Sequence, residues 1–195
     1  MAERRLILAS ASPRRALLLK EAGFGFTQQT PSFDDTGKNL NDLPVKLATA
    51  TLAFIKAISA AQTAPDAVIL GCDTLLAMEG QRLGKARDEA EARRMLQQLM
   101  NRPHQAITAV CLVDAISERQ QVIRDTATVL PRPLSEAAMS DYLKSGAWRG
   151  KAGAYNLAEI QQAWGWDVQG DPATVIGLPM RKLIPALKIF LAGDR

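Results

Sequence analysis

The alternation of apolar runs and polar turns along the chain predicts an α/β protein with a mixed β-sheet. Short, continuous apolar runs at 6–9 and 67–72 are typical of strands that are buried on both faces. The β-rich runs 106–114 and 121–130, which a short polar segment joins, predict an antiparallel pair. Apolar residues recur at helical spacing over 44–61, which predicts a helix. This succession of strands and helices is typical of α/β folds.

Further segments complete the predicted elements. The alternating segment 24–30 predicts a second strand, and 75–85 predicts two short strands around a Glu-Gly turn. The β-branched run TVIG at 174–177 also predicts a strand. The last apolar periodicity predicts a helix over 179–192.

The segment LILASASPRR at 6–15 predicts a strand, a turn of small residues and the start of a helix. Proline suits the first helical turn, because its missing N–H costs nothing there. The free N–H groups, the hydroxyls of Ser10 and Ser12 and the guanidinium groups of Arg14 and Arg15 suit an anion, phosphate above all. Arginines at a helix start oppose the helix dipole, and surface arginine pairs are common, so ordinary surface arginines are the alternative interpretation.

Composition limits the classes of protein to which the chain can belong. Its 195 residues suit one domain, 1–195, or two small lobes around a cleft, and an apolar fraction of 47% is sufficient for a core. Lys and Arg number 24 against 20 Asp and Glu, without basic runs, so an anionic small molecule suits the chain at least as well as nucleic acid. Neither a signal peptide nor a membrane-spanning run is recognisable. We therefore expect a cytoplasmic protein without stable binding to nucleic acid or membranes.

The cysteines and the single histidine do not suggest a thiolate metal site or histidine-based catalysis. Cys72 and Cys111 lie in apolar, strand-like runs, where buried reduced thiols are usual. His104 is the only histidine, and it follows an Arg-Pro pair at a predicted strand start. We interpret it as a structural residue.

Carboxylates and lysines recur at positions where α/β folds collect functional groups. Asp35 lies in a predicted loop, and Asp73 directly follows the central apolar run, where open α/β sheets bind ligands. Lys85 and Lys151 lie in glycine-containing segments, while Lys56 lies late in a predicted helix, where a solvated lysine is the alternative. Such cations could neutralise a polyphosphate, and the carboxylates could hold Mg²⁺ or orient a water for attack on phosphorus.

Six short motifs, taken together and in this order, resemble the Maf family of nucleoside triphosphate pyrophosphatases. They are SASPRR at 10–15, IKA at 55–57, GCDT at 71–74, LGK at 83–85, KAGAY at 151–155 and GLP at 177–179. The resemblance covers nearly the whole chain. It implies an elongated mixed β-sheet flanked by helices, with a central cleft and an architecture similar to that of the inosine triphosphate pyrophosphatases. It also implies hydrolysis of a nucleoside triphosphate to the monophosphate and pyrophosphate with a divalent metal (Mg²⁺, Mn²⁺ or Co²⁺), and a homodimer.

The resemblance also assigns roles to individual residues. Ser10, Arg14 and Arg15 match the phosphate-binding loop, while Lys56 and Lys85 match lysines that face the triphosphate. Asp73 matches the aspartate treated as the catalytic proton acceptor, and it also suits the metal. Because aspartate is a weak base in water, we expect it to orient a metal-polarised water rather than to abstract a proton unaided.

Three positions depart from the family pattern. Asp35 stands where glutamate is usual, and Ala86 replaces the proline of the usual Lys-Pro pair. Ala158 stands at the position of a glutamine that serves the site, and its methyl group cannot form a hydrogen bond. Aspartate is one methylene shorter than glutamate, but it can still bind a metal.

The preferred base is expected to be a pyrimidine. SPRR, DT and KAGAY resemble the branch that prefers dTTP and UTP, whereas GDPATVIGLP at 170–179 resembles the branch that acts on 7-methyl-GTP. Trp164 and Trp166 could stack on a base or belong to the core. Two other functions stay open: a nucleotide-binding regulatory protein that has lost catalysis, and a nucleic-acid-binding protein.

Overall fold

A computed structural model describes residues 4–31, 40, 42–100, 102–156 and 163–192. Its strands are β1 (Leu6–Ala9), β2 (Thr27–Gln29), β3 (Val68–Met78), β4 (Gln81–Leu83), β5 (His104–Asp114), β6 (Arg119–Leu130) and β7 (Asp167–Gln169). Its helices are α1 (Pro13–Glu21), α2 (Val45–Ala61), α3 (Glu89–Leu99), α4 (Glu136–Ser145), α5 (Pro172–Ile176) and α6 (Met180–Ala192). The predicted α/β class is therefore confirmed.

The strands form one mixed sheet in the order β2-β1-β3-β5-β6-β7, and β4 pairs with the far end of β3. β1 is parallel to β2 and to β3. The pairs β3–β4, β3–β5, β5–β6 and β6–β7 are antiparallel. The long antiparallel pair predicted over 106–130 is thus present as β5 and β6.

Helices cover both faces of this sheet. Along β1, Leu6 and Leu8 pack with α1 and α6, while Ile7 and Ala9 pack on the other face with α2. This alternation follows from the two-residue period of a strand. A further core lies at the other end of the sheet, among α3, α4 and the buried Trp166. No helix in the described ranges is both long and apolar enough to cross a membrane.

Two sequence predictions of strands are wrong in whole or in part. The run TVIG is not a strand, because its first three residues belong to the short helix α5. The Asp171 carboxylate accepts a hydrogen bond from the Ala173 N–H at 3.1 Å, and Pro172 occupies the first turn. A cap followed by proline favours a helix start more strongly than β-branched residues favour a strand. The strand predicted over 24–30 is limited to Thr27–Gln29.

Asp73 lies in the middle of β3 and not at its end, which corrects the sequence interpretation. The strand continues because β5 pairs with it on one side from Val68 to Ala77. On the other side, β1 pairs only as far as Gly71, and β4 begins to pair at Leu76. The intervening residues of β3, which include Asp73, therefore face a gap between two short partner strands.

Candidate active site

A cleft of about 840 Å³ opens at this gap in the sheet. The end of β1, the start of α1, α2, the middle of β3 and the segments around 84 and 151 contribute its walls. All eight described residues that the sequence singled out line it: Ser10, Ser12, Arg14, Arg15, Lys56, Asp73, Lys85 and Lys151. Asp35 lies outside the described residues. The fold therefore gathers side chains that are far apart in the sequence.

Asp73 and Lys56 form the central ion pair of the cleft. Lys56 Nζ lies 2.7 Å from Asp73 Oδ1, and both side chains are largely buried. The second carboxylate oxygen, Oδ2, is buried and has no hydrogen-bond partner among the described residues. Buried polar atoms in native proteins nearly always have a partner. Asp73 therefore keeps one oxygen that can accept a hydrogen bond from a water or bind a cation.

This ion pair depends on the close approach of α2 to β3 at Gly71. A Cβ atom built on Gly71 would lie 2.5 Å from Ala57 N and 2.7 Å from Ala57 Cβ, and it would also contact Ala53 O. Only glycine allows this separation between helix and strand. Lys56 precedes Ala57 in α2, and Asp73 follows Gly71 by two residues in β3. The missing side chain of Gly71 therefore sets the distance between the two charged groups.

Arg15 connects the start of α1 with three other segments. Its Nε donates to Gly177 O at 3.1 Å, and its Nη1 donates to Ser10 Oγ at 3.1 Å and to Cys72 O at 3.3 Å. Its Nη2 donates to Thr74 Oγ1 at 3.1 Å. A guanidinium group has five N–H donors, so these contacts leave one of them for a ligand. Arg15 thus acts mainly as an organiser of the site.

Arg14 makes a side-chain hydrogen bond to the segment that follows KAGAY. Its Nη1 donates to Asn156 Oδ1 at 2.8 Å, which links α1 to the segment that follows KAGAY. The Ser12 N–H donates to Ser10 Oγ at 3.2 Å, which shapes the turn before α1. Ser12 is the N-cap residue of α1, and within the described residues its side chain makes no capping hydrogen bond to the first turn. The first-turn N–H groups therefore remain suited to an anion.

The LGK and KAGAY segments meet through their backbones. Lys85 and Ala152 form an isolated antiparallel bridge, and the Gly153 N–H donates to Gly84 O at 2.9 Å. The Lys151 amine donates to Ala147 O, which fixes it near the end of the α4 region. Lys85 and Lys151 are thereby held side by side on one wall of the cleft.

Arg82 is a cleft residue that the sequence did not reveal. It lies on β4 opposite Ala77 of β3, and its side chain is exposed along the cleft. It has no ion-pair partner among the described residues. The charged side chains of the described cleft are Arg14, Arg15, Lys56, Arg82, Lys85 and Lys151 against the single carboxylate of Asp73. Such an excess of cations favours a ligand with several negative charges.

His104 supports the cleft from behind. Its Nε2 lies 2.7 Å from the hydroxyl of Tyr155, which lines the cleft, and its Nδ1 lies 3.4 Å from Arg102 O. Since a carbonyl only accepts hydrogen bonds, these contacts select the ring with its proton on Nδ1 and with Tyr155 donating to Nε2. Burial lowers the pKa of His104 from 6.5 to about 4. The structural role expected for His104 agrees with this geometry.

The aromatic residues considered for base stacking lie elsewhere. Trp166 is 1% exposed and belongs to the core near α3 and α4. Its indole N–H donates to Arg132 O at 3.1 Å. Trp164 packs edge-on against Tyr142, with ring centroids 4.7 Å apart. Of the two alternatives for these tryptophans, base stacking and a position in the core, the structure therefore supports the core position.

A single histidine makes the pKa of His104 directly measurable. We expect the only histidine resonance in a proton NMR titration to give a pKa of about 4. The unfolded chain binds the proton below pH 6.5 and the folded chain does not, so stability is complete above pH 6.5 and falls as the pH decreases towards 4. The free energy of unfolding is about 3 kcal/mol larger above pH 6.5 than below pH 4 through this group.

His104→Gln provides the control for this titration, because glutamine does not ionise in this range. Its unfolding free energy should lack the part of the pH dependence that His104 contributes between pH 6.5 and 4. A histidine pKa near 6.5 in the folded protein would contradict the buried, neutral ring.

Comparison with known proteins identifies the family. Residues 5–190 match the family profile described as Maf-like protein. The chain belongs to the Maf family. Proteins of this family that it resembles include the dTTP/UTP pyrophosphatase of Pelotomaculum thermopropionicum, 36% identical over 95% of this chain and 96% of the relative. Those of Symbiobacterium thermophilum (36%; 95% and 93%) and Shouchella clausii (37%; 94% and 94%) bear the same name.

The family match and the cleft agree on the same segments of the chain. All six motifs that carried the resemblance contribute to the cleft or border it, including GLP through the contact of Gly177 with Arg15. The residues that sequence reasoning missed are Arg82, Thr74 and Tyr155. Thr74 and Tyr155 lie within the recognised motifs GCDT and KAGAY and could have been found there. Arg82 carries no local sequence signal, because its relevance arises only from the fold.

The divalent metal that the family resemblance implies would need oxygen ligands in the cleft. Among the described residues, no group of three or more His, Cys, Asp and Glu side chains could hold a metal ion. Asp73 nevertheless offers a buried carboxylate oxygen without a partner, and carboxylate oxygens are the ligands that Mg²⁺ prefers. The residue therefore fits one position in the coordination shell of a hard cation.

Proposed function

We propose that this chain is a nucleoside triphosphate pyrophosphatase that acts on dTTP or UTP. The observation that carries the proposal is the cleft itself, in which cations surround one carboxylate that is held by Lys56. The names of the similar proteins support both the reaction and the pyrimidine bases. Water adds to the anhydride bond between the α- and β-phosphates, which gives the nucleoside monophosphate and pyrophosphate.

In this proposal the phosphates bind along the cationic wall. The N–H groups at the start of α1, the Ser10 and Ser12 hydroxyls and Arg14 bind phosphate oxygens, as does the remaining N–H of Arg15. Lys85 and Lys151 face them from the opposite wall and neutralise the charge that develops on the departing pyrophosphate. Preorganised cations stabilise such charge more strongly in a cleft than in bulk water.

Asp73 acts on the attacking water. Lys56 holds Oδ1, which fixes the plane of the carboxylate, while Oδ2 accepts a hydrogen bond from the water and orients it. The proton leaves the water towards this carboxylate as the anhydride bond breaks. Lys56 is thus a positioning group in the same reaction.

We further propose that Asp73 and Asp35 hold the divalent cation (Mg²⁺, Mn²⁺ or Co²⁺). When bound, this cation neutralises phosphate charge and increases the acidity of a bound water. Asp35 stands at the acidic family position that follows the second strand in the sequence. The phosphate-binding residues of the chain, from Ser10 to Lys151, contact the substrate whether or not the cation is bound.

The proposal also covers domain organisation, location and assembly. A single domain over 1–195, with the site in its cleft, fits the continuous sheet of the described residues. The free, buried cysteines favour a reducing, cytoplasmic location. A homodimer rests on the family resemblance alone. Nucleic acid is not proposed as a partner, since the cations of the described cleft form a pocket and not a stripe along one face.

The proposed function is tested by a screen for pyrophosphate release from common and modified nucleoside triphosphates with Mg²⁺, Mn²⁺ and Co²⁺. We expect dTTP and UTP to be hydrolysed in preference to the purine nucleotides. Preference for 7-methyl-GTP would show that the segment 170–179 determines the base instead. Binding of triphosphates without release of pyrophosphate under any of these conditions would replace the enzyme by a nucleotide-binding regulatory protein.

Arg82 provides a test of the cationic wall. We expect Arg82→Gln to raise KM about three- to tenfold with little change in kcat, because an exposed charge-assisted contact contributes about 1 kcal/mol. The effect should decrease at high salt. The measurement is steady-state pyrophosphate release at two ionic strengths.

Arg94→Gln is the matched control for this substitution. Arg94 is an exposed arginine of α3 and does not line the cleft. Its replacement should leave KM unchanged. Equal effects of the two substitutions would show that Arg82 acts only through the overall charge of the protein.

A further inference from the structure

Thr108 lies beneath the cleft and takes no part in the functions described so far. It is completely buried in the middle of β5, directly opposite Thr74 in the β3–β5 register. Its Oγ1 lies 2.8 Å from Thr74 Oγ1 and donates a hydrogen bond to Thr174 O at 2.6 Å. Thr74 in turn accepts from Arg15 Nη2 at 3.1 Å. A buried hydroxyl in a sheet of apolar residues thus connects the site arginine to helix α5.

The direction of each hydrogen bond between Arg15 and Thr174 follows from the number of protons that each group carries. A hydroxyl has one proton, and a carbonyl oxygen can only accept. The Thr108 proton is used for Thr174 O, so Thr74 must donate in the bond between the two threonines. Thr74 can therefore only accept from Arg15, as the guanidinium requires. In each of these hydrogen bonds the donor therefore lies on the Arg15 side and the acceptor on the α5 side.

These hydrogen bonds form a closed ring that includes α5. Thr174 receives the hydrogen bond from Thr108, and Gly177, just after the same helix, accepts directly from Arg15 Nε at 3.1 Å. Helix α5 also contributes Val175 and Ile176 to the wall of the cleft. The ring therefore fixes Arg15 and this wall relative to each other.

A second hydrogen bond of Thr174 also holds α5 on the sheet. Thr174 Oγ1 donates to Asp125 Oδ2 of β6 at 2.7 Å, and Asp125 pairs with Lys182 of α6. The hydroxyl and the carbonyl of Thr174 are thus held by two different strands. Thr108 supplies the only hydrogen bond within the described residues that connects β5 to this carbonyl.

We propose that Thr108 is a positioning residue that directs the Arg15 guanidinium, and with it the wall formed by α5, towards the phosphates of the substrate. The inference rests on the proposed function for its kinetic consequence, but the hydrogen-bond ring can be tested without turnover. Without the Thr108 hydroxyl, Thr74 loses its acceptor and Thr174 O loses its buried donor. Both changes release Arg15 from its fixed orientation.

The test compares Thr108→Val, which removes the hydroxyl but keeps the shape, with Thr108→Ser, which keeps the hydroxyl. We expect Thr108→Val to reduce kcat/KM at least about tenfold, and we expect Thr108→Ser to restore most of it. Thr128→Val on β6 is the control, because Thr128 lies outside the cleft and the ring. In an Arg15→Lys background, Thr108→Val should have little further effect, since the two residues act as one unit.

A readout that needs no turnover is binding of inorganic pyrophosphate by calorimetry, together with hydrogen exchange of the Arg15 Nε–H. Thr108→Val should weaken pyrophosphate binding and accelerate this exchange, while Thr108→Ser should do neither. Equal losses in the valine and serine variants, or additive effects with Arg15→Lys, would overturn the proposal. If the wild-type protein lacks turnover but the exchange difference is present, the proposed function fails and the positioning role remains.

Discussion

Replacing Asp73 by asparagine should reduce pyrophosphate release by at least about a hundredfold, since positioned general bases contribute factors of this size. Asparagine has nearly the same shape, and its carbonyl oxygen can still accept from Lys56. It places an amide where Oδ2 now lies, however, and an amide can neither accept a proton from water nor bind a cation. The measurement is single-turnover pyrophosphate release at saturating dTTP.

Binding should respond to this substitution in the opposite direction. Asp73 is the only carboxylate among the described cleft residues, so its removal takes away repulsion towards the phosphates. Triphosphate affinity, measured by calorimetry without divalent cations, should therefore be retained or increase. Asp66→Asn is the control, because this exposed carboxylate pairs with Arg5 far from the cleft. Full turnover in the Asp73 variant would remove Asp73 from the mechanism.

Replacing Gly71 by valine should destabilise the protein by about 3 kcal/mol or more. The new Cβ alone would overlap α2 at Ala57, and valine adds two methyl groups to this overlap. Forcing extra volume into a close-packed core typically costs 1–3 kcal/mol, with more where backbone must move. Urea unfolding gives the free energy directly.

The same substitution should impair activity beyond its effect on folding. If α2 moves away from β3, Lys56 no longer holds Asp73, and the orientation of the carboxylate is lost. Gly71→Ala should give a smaller loss of the same kind. Gly25→Ala is the control, because a Cβ at Gly25 would meet nothing within 4 Å. Near-wild-type stability of Gly71→Val would show that α2 can shift without cost.

Local sequence signals are sufficient to predict the turn and helix start at 10–15. Pro13 begins α1 as expected, because the fixed φ of proline and its missing N–H act within one turn. Asp88 caps α3 by accepting from the Glu91 N–H, again through contacts within a few residues. For α1, where the determinant is local, the sequence pattern predicts both the element and its start.

The failures at Asp73, Arg82 and Thr108 arise because the determinant is distant in the sequence. The sequence pattern predicts a strand end at Asp73 because a polar pair follows an apolar run, yet β5 pairs across this point. Lys56 donates to one carboxylate oxygen of Asp73, and Arg15 donates to the Thr74 hydroxyl. Arg82 gave no signal, because its position in the cleft depends on how β4 folds back on β3. Thr108 is indistinguishable in sequence from any other β-branched strand residue.

The contact between Arg15 and Gly177 joins residues that are 162 positions apart. A ribosome synthesises the first of these residues long before the second, and domains fold as units during synthesis only once their parts are available. The growing chain therefore carries the turn at 10–15 without the acceptor that orients Arg15. Under the proposed function, competence for nucleotide binding should arise only after Gly177 has been synthesised and has folded against α1.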